Sequence, residues 1–134
     1  MRVVLDTDIL SAIIKKKPKA LSNARNYLKT YGRFTISIIT RYEILRGLKA
    51  KNATRQITNF NLLCSKMSIL PLNDEIIVKA ADLYADLLKR GKVIGDADIL
   101  IAATAIIHDC KISTNNTNHF ERIPALELEN WLKQ

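Results

Sequence analysis

The sequence predicts an α/β fold in which a parallel sheet of four or five strands is flanked by helices. Three observations carry that prediction. Short β-branched apolar runs alternate with longer segments of helical periodicity along the chain. The runs are apolar throughout, as strands buried on both faces are. The 134 residues, 48% hydrophobic, suffice for one core and are expected to form one domain over residues 1–134.

The elements follow in order. Arg2-Val3-Val4-Leu5 reads as a buried strand ending at Asp6, and a helical pattern then runs through Ile14 to the lysines and Pro18. Lys19–Tyr31 has an amphipathic pattern closed by Gly32, and Phe34–Ile39 reads as a second buried strand. Thr40 is expected to open a helix reaching about Ala50, and residues 52–67 carry Ile57, Phe60, Leu63, Cys64 and Met67 at helical spacing. Ser68–Leu72 is a third strand. Asn73 or Asp74 caps a long helix, Glu75–Arg90, that stops at Gly91. Gly95 precedes Asp96–His108, a helix apolar nearly all round and therefore buried. Lys111–Thr114 is a fourth strand; an Asn-rich loop leads to a short last strand near Leu126–Leu128.

Composition narrows the function. Twenty-one Lys and Arg against thirteen Asp and Glu give a net charge of +8, which points to a polyanion or an acidic partner. The charge is uneven: residues 1–55 hold thirteen basic and three acidic side chains, residues 56–134 eight and ten. The longest apolar stretch, Ile99–Ile107, is about half of what a spanning helix needs. Ile9–Ile14 precedes Lys15–Lys17 rather than following it, so no signal peptide is expected. Cys64 and Cys110 lack any close spacing, which fits a reduced cytoplasm.

In open parallel sheets, ligands bind beyond the carboxyl ends of the strands. Five acids stand near such ends: Asp6 and Asp8 after the first strand, Glu43 after the second, Asp96 and Asp98 at the start of the buried helix. Carboxylates gathered without neutralising bases repel, and burial raises the cost. A hard divalent cation, Mg²⁺ or Mn²⁺, removes the conflict, and on a basic domain it points to phosphodiester chemistry. Each acid also has a structural reading. Asp6, Asp8, Asp96 and Asp98 suit helix N-termini, and Thr40-Arg41-Tyr42-Glu43 matches a capping box.

Val4-Leu5-Asp6-Thr7-Asp8-Ile9-Leu10 resembles the opening motif of PIN domains. Ile94-Gly95-Asp96-Ala97-Asp98-Ile99-Leu100-Ile101-Ala102-Ala103 resembles their third block, Thr114–Phe120 the fourth, and Glu43 matches the second. Over essentially its whole length the chain resembles the VapC-type toxins of VapBC toxin–antitoxin pairs. The resemblance implies a PIN fold and an Mg²⁺- or Mn²⁺-dependent endoribonuclease that leaves a 5′-phosphate and a 3′-hydroxyl. It also implies a cognate VapB-type antitoxin that inhibits the enzyme, and a homodimer. By position, Asp6 and Asp98 would hold metal directly and Asp96 would assist. Glu43 would hold a second metal or orient the attacking water, with Thr7 and Thr114 hydrogen-bonded within the acid cluster. Two departures stand out. Asn116 occupies a fourth-block position that often carries an acid, and Asp8 stands where Asn is common.

Arg41 and Arg46, beside Glu43, are the expected RNA contacts; Lys15 and Lys16 are candidates that also suit a solvated helix end. His119 is read as a loop or RNA contact. No pair among Cys64, His108, Cys110 and His119 has zinc-ligand spacing. A receiver-like signalling domain would need a Lys after its last strand, and none follows Lys111–Thr114. The other alternative is a non-catalytic nucleic-acid-binding module on the same fold, for which Asn116 is the argument.

Overall fold

The computed structural model describes residues 1–134. Its elements, in chain order, are β1 (Val3–Leu5), α1 (Thr7–Ile14), α2 (Pro18–Tyr31), β2 (Thr35–Ser37), α3 (Ile38–Ala50) and α4 (Thr54–Cys64). They continue with β3 (Ser68–Leu70), α5 (Asp74–Lys89), α6 (Asp96–Ile107), β4 (Lys111–Ser113), α7 (Thr117–Phe120) and β5 (Leu128–Glu129). The five strands form one sheet in the order β3-β2-β1-β4-β5, and every pairing is parallel.

Strand pleating explains the two cores. Val3 and Leu5 point to one face of the sheet and Val4 to the other. Val3, Leu5 and Ile36 pack with Ile9, Leu10, Tyr27, Phe60 and Trp131 beneath α1, α2 and α4. Val4 and Ile112 pack with Ile76, Leu87, Ile101 and Phe120 beneath α5 and α6. Because α6 lies inside this second layer, Ile99 and the run Ile101–Ala105 are buried, which is why its sequence is apolar nearly all round.

The topology also fixes where a site can form. From β1 the chain winds outward through β2 to β3, then crosses back to lay β4 on the other side of β1. The strand order therefore reverses between β1 and β4, and the crevice beyond their carboxyl ends is the natural binding place. Leu5 pairs with Ser113, so the residues that follow, Asp6 and Thr114, flank that crevice.

The second strand is shorter than its sequence predicts. Ile38 and Ile39 belong to α3, because Ser37 Oγ accepts a hydrogen bond from the Ile39 N–H at 3.1 Å and caps the helix. Two β-branched residues read as strand, but a capped serine ahead of them decides otherwise. Thr40 is buried within the first turn of α3 and is not its cap. The expected capping box with Glu43 does not form. The Asn-rich loop also contains a short helix, α7, which composition concealed.

Candidate active site

Asp6 ends β1, is 6% exposed, and anchors the site. Its Oδ1 accepts from the Thr7 N–H at 2.8 Å, and its Oδ2 accepts from Thr114 Oγ1 at 2.8 Å. Thr114 in turn accepts from the Asn116 N–H at 2.9 Å. The Asn115 N–H donates to Asp8 Oδ2 at 2.9 Å. The turn after β4 is thus tied to the carboxylates that follow β1 by a hydroxyl and a backbone N–H, which brings the site no counter-charge.

Thr7 extends the network to the second strand. Its Oγ1 donates to Glu43 Oε1 at 2.7 Å and lies 3.3 Å from Thr40 Oγ1. Glu43 is therefore fixed by a residue of the opening motif, not by the start of its own helix. Arg46 Nη2 lies 3.8 Å from Glu43 Oε2 and is the one cation beside these acids, with its side chain 59% exposed. On the other side of the crevice, Asp98 Oδ2 lies 2.9 Å from His119 Nδ1, which also lies 2.8 Å from the Asn116 side-chain amide.

The electrostatics are unbalanced. Burial, then the neighbouring Asp8 carboxylate, push Asp6 up to about 7; Asp98 adds to the rise, while the Thr114 and Thr7 hydrogen bonds oppose it. Burial raises Asp8 as well, with Asp98 contributing. Asp8 Oδ1 is buried without a partner. A buried oxygen anion without a donor, beside further carboxylates, is the environment that a cation relieves. The side chains as placed do not close on a metal, since no three His, Cys, Asp or Glu groups form a metal-holding set. Each carboxylate is instead held by a protein donor. Oxygen-rich donors around an orphaned buried oxygen fit a hard divalent ion.

The remaining candidates fall outside the cluster. Asp96 precedes Asp98 by two residues, about 200° around a helix. Asp96 is exposed and lines an apolar groove with Ile77, Tyr84 and Ile99, on the α5 side of α6. Arg41 Nη2 donates to Asn61 Oδ1 at 3.0 Å and its guanidinium lies 5.7 Å from the Phe60 ring centre, so it joins α3 to α4. Lys15 and Lys16 are exposed just beyond α1, roughly 14–15 Å along the helix direction from Asp6. Cys64 and Cys110 are buried in opposite cores, which separates the thiols from any shared site. His119 is the member whose contact the sequence reading missed. The signal available was its place three residues after Asn116, close behind the last strand before the crevice.

The comparisons with known proteins agree with this fold. The PIN domain family matches residues 3–126. The chain is 32% identical over 134 residues to Ribonuclease VapC2 of Rickettsia felis, covering 99% of this chain and 100% of that protein. It is 34% identical over 128 residues to Ribonuclease VapC1 of Methanocaldococcus jannaschii, covering 96% and 85%. Among solved structures, the VapBC2 complex of Rickettsia felis bound to a promoter DNA fragment matches with a TM-score of 0.86 at 30% identity, over 98% of this chain and 99% of that one. With a family match across most of its length and relatives above 30% identity over nearly all of it, the chain belongs to the PIN domain family, in its VapC group.

Proposed function

We propose that the chain is a metal-dependent endoribonuclease, the toxin of a VapBC-type toxin–antitoxin pair, inhibited by a cognate VapB-type antitoxin. The observation that carries this reading is the network joining Asp6, Thr7, Glu43 and Thr114 at the strand crossover, with Asp98 facing it. The full-length likeness to ribonucleases named VapC supports the toxin assignment, and the VapBC complex supports the antitoxin partner. No helix is long and apolar enough to cross a membrane.

Asp6, Asp98 and Glu43 would hold Mg²⁺ or Mn²⁺, with the free Asp8 Oδ1 facing the same charge. The ion supplies a polarised phosphoryl oxygen, a water of lowered pKa and stabilisation of the leaving oxygen. The protein's own part is positional. Thr114 and the Thr7 N–H hold the Asp6 carboxylate in one orientation, and the Thr7 hydroxyl holds Glu43. Glu43 Oε2 stays available to orient a water. Arg46, exposed beside Glu43, is the RNA-phosphate contact. Arg41 is committed to α4 and Asp96 to the α5 groove, so neither is given a catalytic role here.

The test uses antitoxin-free protein and total RNA, with Mg²⁺, Mn²⁺ or chelator, followed by mapping of RNA 5′ ends. Discrete 5′-phosphate ends that need the metal and vanish in Asp98→Asn are expected. Cleavage that persists in chelator refutes the metal-dependent mechanism. Nucleic-acid binding without cleavage under every metal condition favours the non-catalytic alternative.

A further inference from the structure

We propose that Asp8, through Oδ1, is a further ligand of the cation and supplies the carboxylate that the turn after β4 lacks. This rests on the metal-dependent nuclease reading above. Thr114, Asn115 and Asn116 form that turn and bring no acid of their own. They hold two carboxylates from the β1 side instead. Thr114 Oγ1 donates to Asp6 Oδ2 at 2.8 Å, and the Asn115 N–H donates to Asp8 Oδ2 at 2.9 Å. Asn115 is itself held, because its Oδ1 accepts from the Asn130 side-chain amide at 3.0 Å. Asp8 is thereby fixed beside the turn. It is near enough that its charge acts on Asp6 and that of Asp98 acts on it.

Oδ1, the other oxygen of Asp8, is buried and has no hydrogen-bond partner. No other carboxylate oxygen of the crevice is both. Asp6 has a donor on each oxygen, and Glu43 has Thr7 on one side and Arg46 on the other. Asp98 meets His119 through Oδ2. A bare, buried carboxylate oxygen is destabilising until a donor or a cation reaches it.

Two structural duties are open to Asp8, and both leave Oδ1 unexplained. It stands in the first turn of α1, where a negative charge complements the helix dipole. That duty does not require a buried oxygen without a donor. Asp8 also ties down the Asn115 N–H, which the amide oxygen of an Asn accepts as well. The amide nitrogen would then donate from the Oδ1 position into a crevice of carboxylates. For holding the fold alone, Asn is the better residue at position 8. The carboxylate is better only when a cation arrives, because affinity for hard divalent ions follows the charge of the ligands. With Asp8, the crevice presents Asp6, Asp8, Glu43 and Asp98 beside one exposed guanidinium, that of Arg46.

The experiment uses the full-length chain without a histidine tag. Mn²⁺ is titrated by electron paramagnetic resonance, which reads the free ion, at low and at high salt. Wild type, Asp8→Asn, Asn116→Asp and the double variant are compared, and urea unfolding in chelator is run on the same preparations. Asp8→Asn should bind Mn²⁺ about tenfold more weakly or worse, yet be at least as stable as wild type in chelator. The loss should persist at high salt, since a ligand contact is not screened. The double variant should recover most of the affinity, because Asn116→Asp returns a carboxylate to the same turn. Asp8→Asn that binds Mn²⁺ as tightly as wild type overturns the ligand assignment and leaves the nuclease reading standing. So does a loss that disappears at high salt, which marks a distant field. Asp8→Asn that is less stable in chelator assigns Asp8 to the fold and overturns the proposal. A double variant as weak as Asp8→Asn overturns the exchange between Asp8 and the turn. Wild-type protein that binds no Mn²⁺ overturns both readings.

Discussion

Replacing Asp6 with Asn should make the metal-free protein more stable at pH 8 while abolishing cleavage. Asp6 ionises at about 7 in the folded chain, chiefly because it is buried and next to Asp8, whereas a free Asp ionises near 4. A carboxyl whose folded pKa is raised binds more protons in the native state than in the unfolded one. Stability therefore falls as pH rises through that window, from about 4 to about 7. At roughly 1.4 kcal/mol per pH unit, Asp6 alone removes about 3 kcal/mol between pH 5 and pH 8. The total by pH 8 is about 4 kcal/mol. Asn escapes that penalty but weakens the Thr114 and Thr7 hydrogen bonds, at a cost of roughly 1–1.5 kcal/mol. The expected outcome is a variant near wild-type stability at pH 5 and about 2–3 kcal/mol more stable at pH 8. Urea unfolding in chelator, followed by far-UV circular dichroism at both pH values, measures this directly. A wild type equally stable at pH 5 and 8, or an Asp6→Asn protein less stable at pH 8, refutes the reasoning. Saturating Mg²⁺ or Mn²⁺ at pH 8 should narrow the gap, since the ion binds the folded wild type alone.

Glu43→Gln keeps an acceptor for the Thr7 hydroxyl and should change stability by less than about 1 kcal/mol; it should remove most cleavage under single turnover, and wild-type rates would show that the charge is not needed. Asp98→Asn should cost most activity, whereas Asp96→Asn, about 200° away around α6, should cleave RNA at close to the wild-type rate. Equal losses in the two variants would refute the facing deduced for α6. Ser37→Ala removes the cap of α3 and should destabilise by about 1 kcal/mol, while Thr40→Ser, inside the first turn, should not act as a cap variant; thermal unfolding compares them. Association with the antitoxin should slow as salt rises if acidic residues on that partner meet residues 1–55, with a smaller effect on dissociation; a salt-independent on-rate in stopped flow would assign that charge to RNA or solubility.

The fold was legible because its signals are local. Val3-Val4-Leu5, the Gly32 stop and a cap at Asn73 or Asp74 each announce themselves within a few residues; the structure places the first two as read and chooses Asn73 for the third. The failures share one cause, which is that the deciding partner is distant or the local pattern has two readings. Ile38-Ile39 carries strand propensity, and the Ser37 cap overrides it. Thr40 and Glu43 have capping-box spacing, but Glu43 is held by Thr7, thirty-six residues earlier.

The same distinction sorts the site residues. Asp6 stands out in sequence because an acid ending an apolar strand is already an electrostatic anomaly, and burial next to Asp8 is what that anomaly becomes in the fold. Asp96 and Asp98 look equivalent in sequence, and helical geometry separates them. His119 carries no anomaly at all in sequence. A histidine in an Asn-rich loop is ordinary, and its contact with Asp98 spans twenty-one residues. What makes it informative is that Nδ1 meets both the Asn116 amide and the Asp98 carboxylate, a contact that exists only once α7 has folded. The buried acid and the exposed imidazole thus bear on the same charge from opposite sides. The first gives the crevice its buried negative charge, and the second meets that charge through Asp98.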